Sequence, residues 1–191
     1  MNFKGLGVCL SLTAVFLIAA AAPQPAFGDH DSDHSSAARS QSGDLVRIVR
    51  DSTRRFLDVR KAESEGYGLL FGCVSGPDEG AMGLHYVNMD LVADGVLDPR
   101  RPEIVIYEPL PNGGRRLVGA DFLVFSADWH ASNTGTPQVM GQLTHLIESP
   151  NRYGLPAFYT LHVWAWKPSP TGAFVNWHTD VSCENFAGTQ D

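Results

Sequence analysis

From Asp44 onward apolar residues recur at spacings of three, four and seven. Leu45, Ile48, Val49, Phe56 and Val59 share one side, while Arg47, Arg50, Arg54 and Lys61 mark another. That period predicts an amphipathic helix over about 44–62, with Asp44 as N-cap and Gly66 beyond its end. After Gly66 the period changes to two. Strands are expected at 67–73, 82–88, 104–108, 116–125 and 158–166, separated by Gly-, Pro- and Asn-rich turns. Asn112-Gly113, between two apolar runs, predicts a hairpin joining 104–109 to 115–125. Residues 137–150 fit a strand or a short helix equally well. One helix followed by several short strands predicts an α+β fold. In it the N-terminal helix packs on a curved, mainly antiparallel sheet or partial barrel.

Upstream, the pattern is of another kind. Lys4 precedes an apolar run over 6–22, Pro23 and Pro25 break it, and Ala26-Phe27-Gly28 offers small residues for cleavage. Residues 1–28 read as a secretory signal peptide. The alternative, an uncleaved anchor, has a run at the short end of the ~17–25 residues that span a bilayer. A secreted or periplasmic protein is expected, with no stable membrane insertion after cleavage. The polar stretch 29–43 lacks apolar periodicity and reads as a disordered leader, leaving 44–191 as a single globular domain. Of the three cysteines, Cys9 falls in the signal. Cys73 and Cys183 remain, an even pair that in an exported chain reads as a disulfide.

Composition narrows the partners. The chain has 191 residues, 43% of them hydrophobic and 18% charged, enough for one domain with a real core. Its 14 Lys+Arg against 21 Asp+Glu leave a net charge of −7, which argues against nucleic acid as a partner. The basic helix face suits ion pairs four residues apart, Arg47–Asp51 and Arg54–Asp58.

Four of the expected strands each carry an ionisable residue inside an apolar run: His85, Glu108, Asp121 and His162. Two imidazoles and two carboxylates suit a divalent transition metal such as zinc, copper or manganese, or an acid–base pair. Alternation permits them to converge without requiring it. Asp121 has a structural alternative in a salt bridge to Arg115 or Arg116. The aromatic C-terminal region suggests a second reading, a small-ligand or sugar-binding module with Trp164, Trp166 and Trp177 as a stacking platform. A metal-dependent enzyme is the third. No Gly-x-Ser-x-Gly motif and no phosphate-cradling glycine loop is present.

The strings GAMGLHYVN, LDPRRPEIVIYEP, RRLVGADFLVF and YGLPAFYTLHVWAWKPSPTGAFVNW resemble a family of small exported bacterial proteins, a domain of unknown function. The resemblance covers about residues 44–184. It singles out His85, Tyr86, Asn88, Glu108, His162, Trp164, Trp166 and Cys183, and brings no activity with it. Similar chains often carry Glu where this one has Asp121, and Asn-Pro where it has His178-Thr179.

Overall fold

The computed structural model describes residues 30–188. The expected signal peptide, 1–28, lies outside them. The first helix, α1, spans His30–Thr53, followed by a 3-10 turn at Arg54–Leu57 and a short α2 at Val59–Ser64. Two expectations are corrected here. The stretch 29–43, read as a disordered leader, is helical from His30. No Gly or Pro interrupts residues 30–42, so a helix anchored downstream can propagate into them. Gln142 Nε2 also reaches back to donate to Ser42 Oγ.

The single helix over 44–62 is broken at Asp58. That residue is extended, and its carboxylate caps the amide of Arg60. Phe56, freed from the helical ladder, has its carbonyl satisfied by the Tyr107 hydroxyl 51 residues away, at 2.7 Å. The break takes Asp58 away from Arg54; Asp58 pairs with Arg60 instead, while Arg47 pairs with Asp44 and Asp51.

Eight strands follow, with two further helices. They are β1 Gly68–Ser75, β2 Ala81–Val87, α3 Met89–Asp94, β3 Ile104–Pro109, β4 Arg115–Phe125, α4 Ser126–Ser132, β5 Gln138–Val139, β6 Gln142–Leu143, β7 His145–Ile147 and β8 Phe158–Val163. Six of them form one curled antiparallel half-barrel in the order β1-β2-β3-β4-β8-β7; β5 and β6 pair separately. Each of the five expected strands is present. The ambiguous 137–150 segment supplies the three shortest. Asn112-Gly113 makes the expected hairpin turn, with Gly113 at φ 76°. The fold is the α+β arrangement of a helix on a curved antiparallel sheet.

Alternation divides the central strands between two faces. Leu45 and Val49 of α1 pack on Ala120, Phe122, Leu161 and Val163. Arg50 Nε reaches the Ala165 carbonyl at 2.7 Å, and the Trp166 indole N–H donates to Thr53 Oγ1 at 2.9 Å. The intervening residues, Asp121, Leu123, Thr160 and His162, therefore point away from the helix. Every position of β2, β3 and β8 is buried, so both faces of these strands are covered.

Cys73 on β1 is bonded to Cys183, 110 residues later. In the chain-entropy model such a loop contributes ~4–5 kcal/mol. It fastens the C-terminal segment across the sheet, where His178 bridges to Ala81. Among the described residues no helix is long and apolar enough to cross a membrane.

Candidate metal centre

Three of the four ionisable strand residues come together. His85, Asp121 and His162 each offer one ligand atom, and these atoms lie within 4.8 Å of one another. Register explains it. Asp121 and His162 are direct cross-strand partners on β4 and β8. His85 lies on the neighbouring rung, opposite Ile106, which in turn faces Gly119. A Cβ at Gly119 would sit 2.7 Å from the Val163 carbonyl and 3.2 Å from the Trp164 ring. Absence of a side chain there lets β8 and Trp164 close in beneath the imidazoles.

His85 is oriented by its own strand. Gly83, at φ 94°, is followed by the Gly83 carbonyl accepting from His85 Nδ1 at 3.1 Å. With Nδ1 as donor, the neutral ring keeps its lone pair on Nε2. That nitrogen faces His162 Nε2 at 3.5 Å. Two imidazole nitrogens on a tetrahedral zinc, each bonded at ~2.0–2.1 Å, are about 3.3 Å apart. With His162 Nε2 carrying a proton the same contact is a hydrogen bond to His85; with that proton removed, the spacing could hold a shared cation.

Asp121 is held equally firmly. Its Oδ1 accepts from Thr160 Oγ1 at 2.6 Å and from the Leu161 amide at 3.0 Å, and lies 3.6 Å from His162 Nδ1. Burial is nearly complete at all three residues. Burial lowers His85 to about 4, a shift that His162 reinforces and that Asp121 and the Gly83 carbonyl partly oppose. Burial also lowers His162, to about 3, with His145 adding to the shift and Asn176 opposing it. The Asp121 carboxyl is pushed up to about 6 by burial, against the Thr160 hydrogen bond, the nearby His85 and the Leu161 amide. At neutral pH the group therefore offers two neutral imidazoles and a mostly ionised carboxylate, the protonation state in which all three can ligate.

These groups line a cavity of about 40 Å³. A water needs roughly 10–15 Å³ of such space, so an ion with a small companion fits. Walls come from Val74, Met82, Leu123, Leu155 and Phe158, with Phe71 and Tyr153 rings 5.5 Å apart at the rim. Phe71 reaches the rim because β1 carries two extra residues, Phe71 and Gly72, between the pairs Leu70–His85 and Cys73–Leu84. Both have φ 66°.

Glu108 stands apart, correcting the four-residue ligand set. Although it alternates with Ile104 and Ile106, it sits one rung farther than His85, opposite Arg116. Lys167 Nζ holds its two oxygens at 3.1 and 3.0 Å, Arg116 Nε donates at 3.1 Å and the Ser182 amide at 3.3 Å. Burial alone would raise the Glu108 carboxyl, but the Arg116 and Lys167 bonds outweigh it and hold it below the usual range. It is a stapling residue between β3, β4 and the C-terminal segment. The salt bridge expected as an alternative for Asp121 belongs to Glu108.

The aromatic platform is corrected too. Tyr86 and Trp164 are only 4% and 2% exposed. Tyr86 accepts from Arg115 Nε at 2.9 Å, and the Trp164 indole donates to the Val175 carbonyl at 2.7 Å. Trp166 bonds Thr53 under α1, as described above. Tyr86 and Trp164 are core; Trp166 and Trp177 are half-buried, with the Arg50 and Arg152 guanidiniums 5.9 and 6.0 Å from their ring centroids. Asn88 is the N-cap of α3.

Two residues of the centre escaped the sequence reading. Thr160 shares the His162 face two positions earlier, a signal that alternation did carry. Asn176 lines the same cavity from an irregular segment with no periodicity to announce it. Comparison with known proteins finds no matching family model, no matching curated protein and no matching solved structure.

Proposed function

We propose that this protein binds one divalent transition metal through His85 Nε2, His162 Nε2 and the Asp121 carboxylate, with a remaining coordination position directed at the apolar cavity. The observation that carries this reading is the 3.5 Å approach of two buried imidazole nitrogens beside a buried carboxylate. Among the described residues Asp121 is the acid beside these two neutral imidazoles, His162 Nδ1 is buried without a partner, and a buried polar group left unpaired costs ~1–3 kcal/mol. A cation repays the cost. Two imidazoles and one carboxylate suit zinc, copper or manganese. Three protein ligands leave room for an exogenous one, as in catalytic rather than structural sites. Such a centre polarises a bound water or a small ligand, so metal-dependent catalysis is its natural use.

The protein acts outside the cytoplasm in this proposal. Support comes from the Cys73–Cys183 disulfide, which persists in oxidising compartments. The apolar run over 6–22 is the second support. Elemental analysis tests the metal directly. After incubation with zinc, copper or manganese and exhaustive dialysis, about one equivalent of one of these metals per chain is expected. Less than about a tenth of an equivalent of any overturns the reading.

A further inference from the structure

His85 and His162 ligate a metal as neutral imidazoles, and Asp121 contributes a single negative charge. A divalent ion held by all three therefore keeps one uncompensated positive charge. Among the described residues that line the cavity, Asp121 is the sole acid and none is Lys or Arg. The other buried acids, Glu103 and Glu108, are not among its walls, and Glu108 is already balanced by Lys167 and Arg116. A net charge in so apolar an interior is costly until an opposite charge joins it. Size restricts what can bring that charge. The cavity of about 40 Å³ amounts to about three water-sized positions, one of them taken by the metal. Hydroxide balances the charge but fills one position.

Tyr153 brings a hydrogen-bond donor to the same space. Its ring centroid lies 5.5 Å from that of Phe71 and 6.1 Å from that of Phe158, and its hydroxyl donates to Met82 Sδ at 3.5 Å. A thioether is a weak acceptor, and an anionic oxygen or nitrogen is a stronger one. The backbone around Tyr153 is anchored, because the Tyr153 and Leu155 amides both donate to Asn151 Oδ1, at 3.2 and 3.3 Å. Tyr153 thus stands at the cavity rim on a braced turn, its proton resting on a poor acceptor.

We propose that the exogenous ligand of the metal is a small monoanion of about two or three heavy atoms, formate being the model, held by the metal and by the Tyr153 hydroxyl. This rests on the metal-binding reading and names the class of molecule that reading leaves open. Charge selects against neutral molecules. The cavity volume and the Phe71–Tyr153 rim select against larger acids.

Isothermal titration of the full chain, loaded with whichever of zinc, copper or manganese it retains, tests it. Azide and formate should each bind at one site per metal. Formamide, which matches formate in size but is uncharged, should bind more than ~10-fold more weakly. Benzoate should not bind, and metal-free protein should take up neither azide nor formate. Tyr153→Phe keeps the ring and should weaken azide and formate ~10-fold with metal content unchanged. Metal-loaded protein that ignores azide and formate, or binds formamide as well as formate, overturns the proposal and leaves the metal reading standing. So does binding of benzoate, binding of azide without metal, or an unchanged azide affinity in Tyr153→Phe. Should that variant fail to fold, the formate–formamide comparison on the wild-type protein still decides. A chain that retains none of the three metals overturns the proposal together with the metal reading.

Discussion

Glu108 and Asp121 are both acidic residues in apolar strands of the same sheet, yet their surroundings differ in kind. Glu108 meets Lys167, Arg116 and the Ser182 amide, so its charge is balanced and its lone pairs are used. Asp121 meets two neutral imidazoles and a hydroxyl, inside a cavity that also holds the unpaired His162 Nδ1 and Asn176 Oδ1. Closed bookkeeping marks a residue that ties segments together. Unpaired polar atoms that line a cavity beside three possible ligands leave capacity for something else. Interior ion pairs are satisfied by the chain itself, whereas ligand sites keep unspent capacity.

The contrast can be broken most forcefully at the ligands. His85→Ala or His162→Ala should weaken zinc binding more than ~100-fold, exceeding the loss expected from an outer-shell change. Glu108→Gln should leave zinc affinity within about twofold. Isothermal titration of the three variants checks both halves, and equal losses would erase the distinction between the two acids.

A third acid, Glu103, sharpens the point through stability. It is fully buried, with Oε2 accepting from the Leu123 amide at 3.0 Å and Oε1 unpaired. Burial is the main cause of a carboxyl raised to about 8, despite its backbone hydrogen bonds. The folded state thus holds a proton that the unfolded chain releases above the ordinary value of 4.5. The contribution of Glu103 to stability should be full below 4.5, fall as pH rises toward about 8, and level off beyond. Glu103→Gln removes that slope and should stabilise the protein at pH ~8 by on the order of 3 kcal/mol, read from denaturant melts at two pH values.

Glu108→Gln should act in the opposite direction. Leaving Lys167 and Arg116 with a neutral partner at a half-buried site costs about 2 kcal/mol of stability. A smaller effect is expected from acid on the metal centre. Asp121 protonates first, at about 6, well before His85 at about 4 and His162 at about 3. Protons compete with metal, so zinc affinity should be flat above pH ~7 and fall about tenfold by pH ~5. A decline beginning only near pH 4 would assign the sensitivity to the histidines.

Much of this architecture was legible in the chain because its signals are local. Alternation and turn chemistry place each central strand, and Asn112-Gly113 marks the hairpin. The helix break was not legible, because the Tyr107 hydroxyl that takes the Phe56 carbonyl comes from a distant strand. The four candidate ligands were visible as polar residues on apolar faces, but alternation assigns a face and not a rung. Glu108 has the right parity on β3 and the wrong position along it. Trp164 and Trp166 were visible as aromatic residues, while the partners of their indoles come from the C-terminal segment and α1. Asn176 lies in irregular chain, where only three-dimensional proximity shows that it lines the cavity.

Anomalous scattering from crystals of the zinc-loaded protein tests the central claim most directly. The account predicts one strong peak about 2.0–2.2 Å from His85 Nε2, His162 Nε2 and an Asp121 carboxylate oxygen. A peak elsewhere, or none at this centre in protein saturated with zinc, would contradict it.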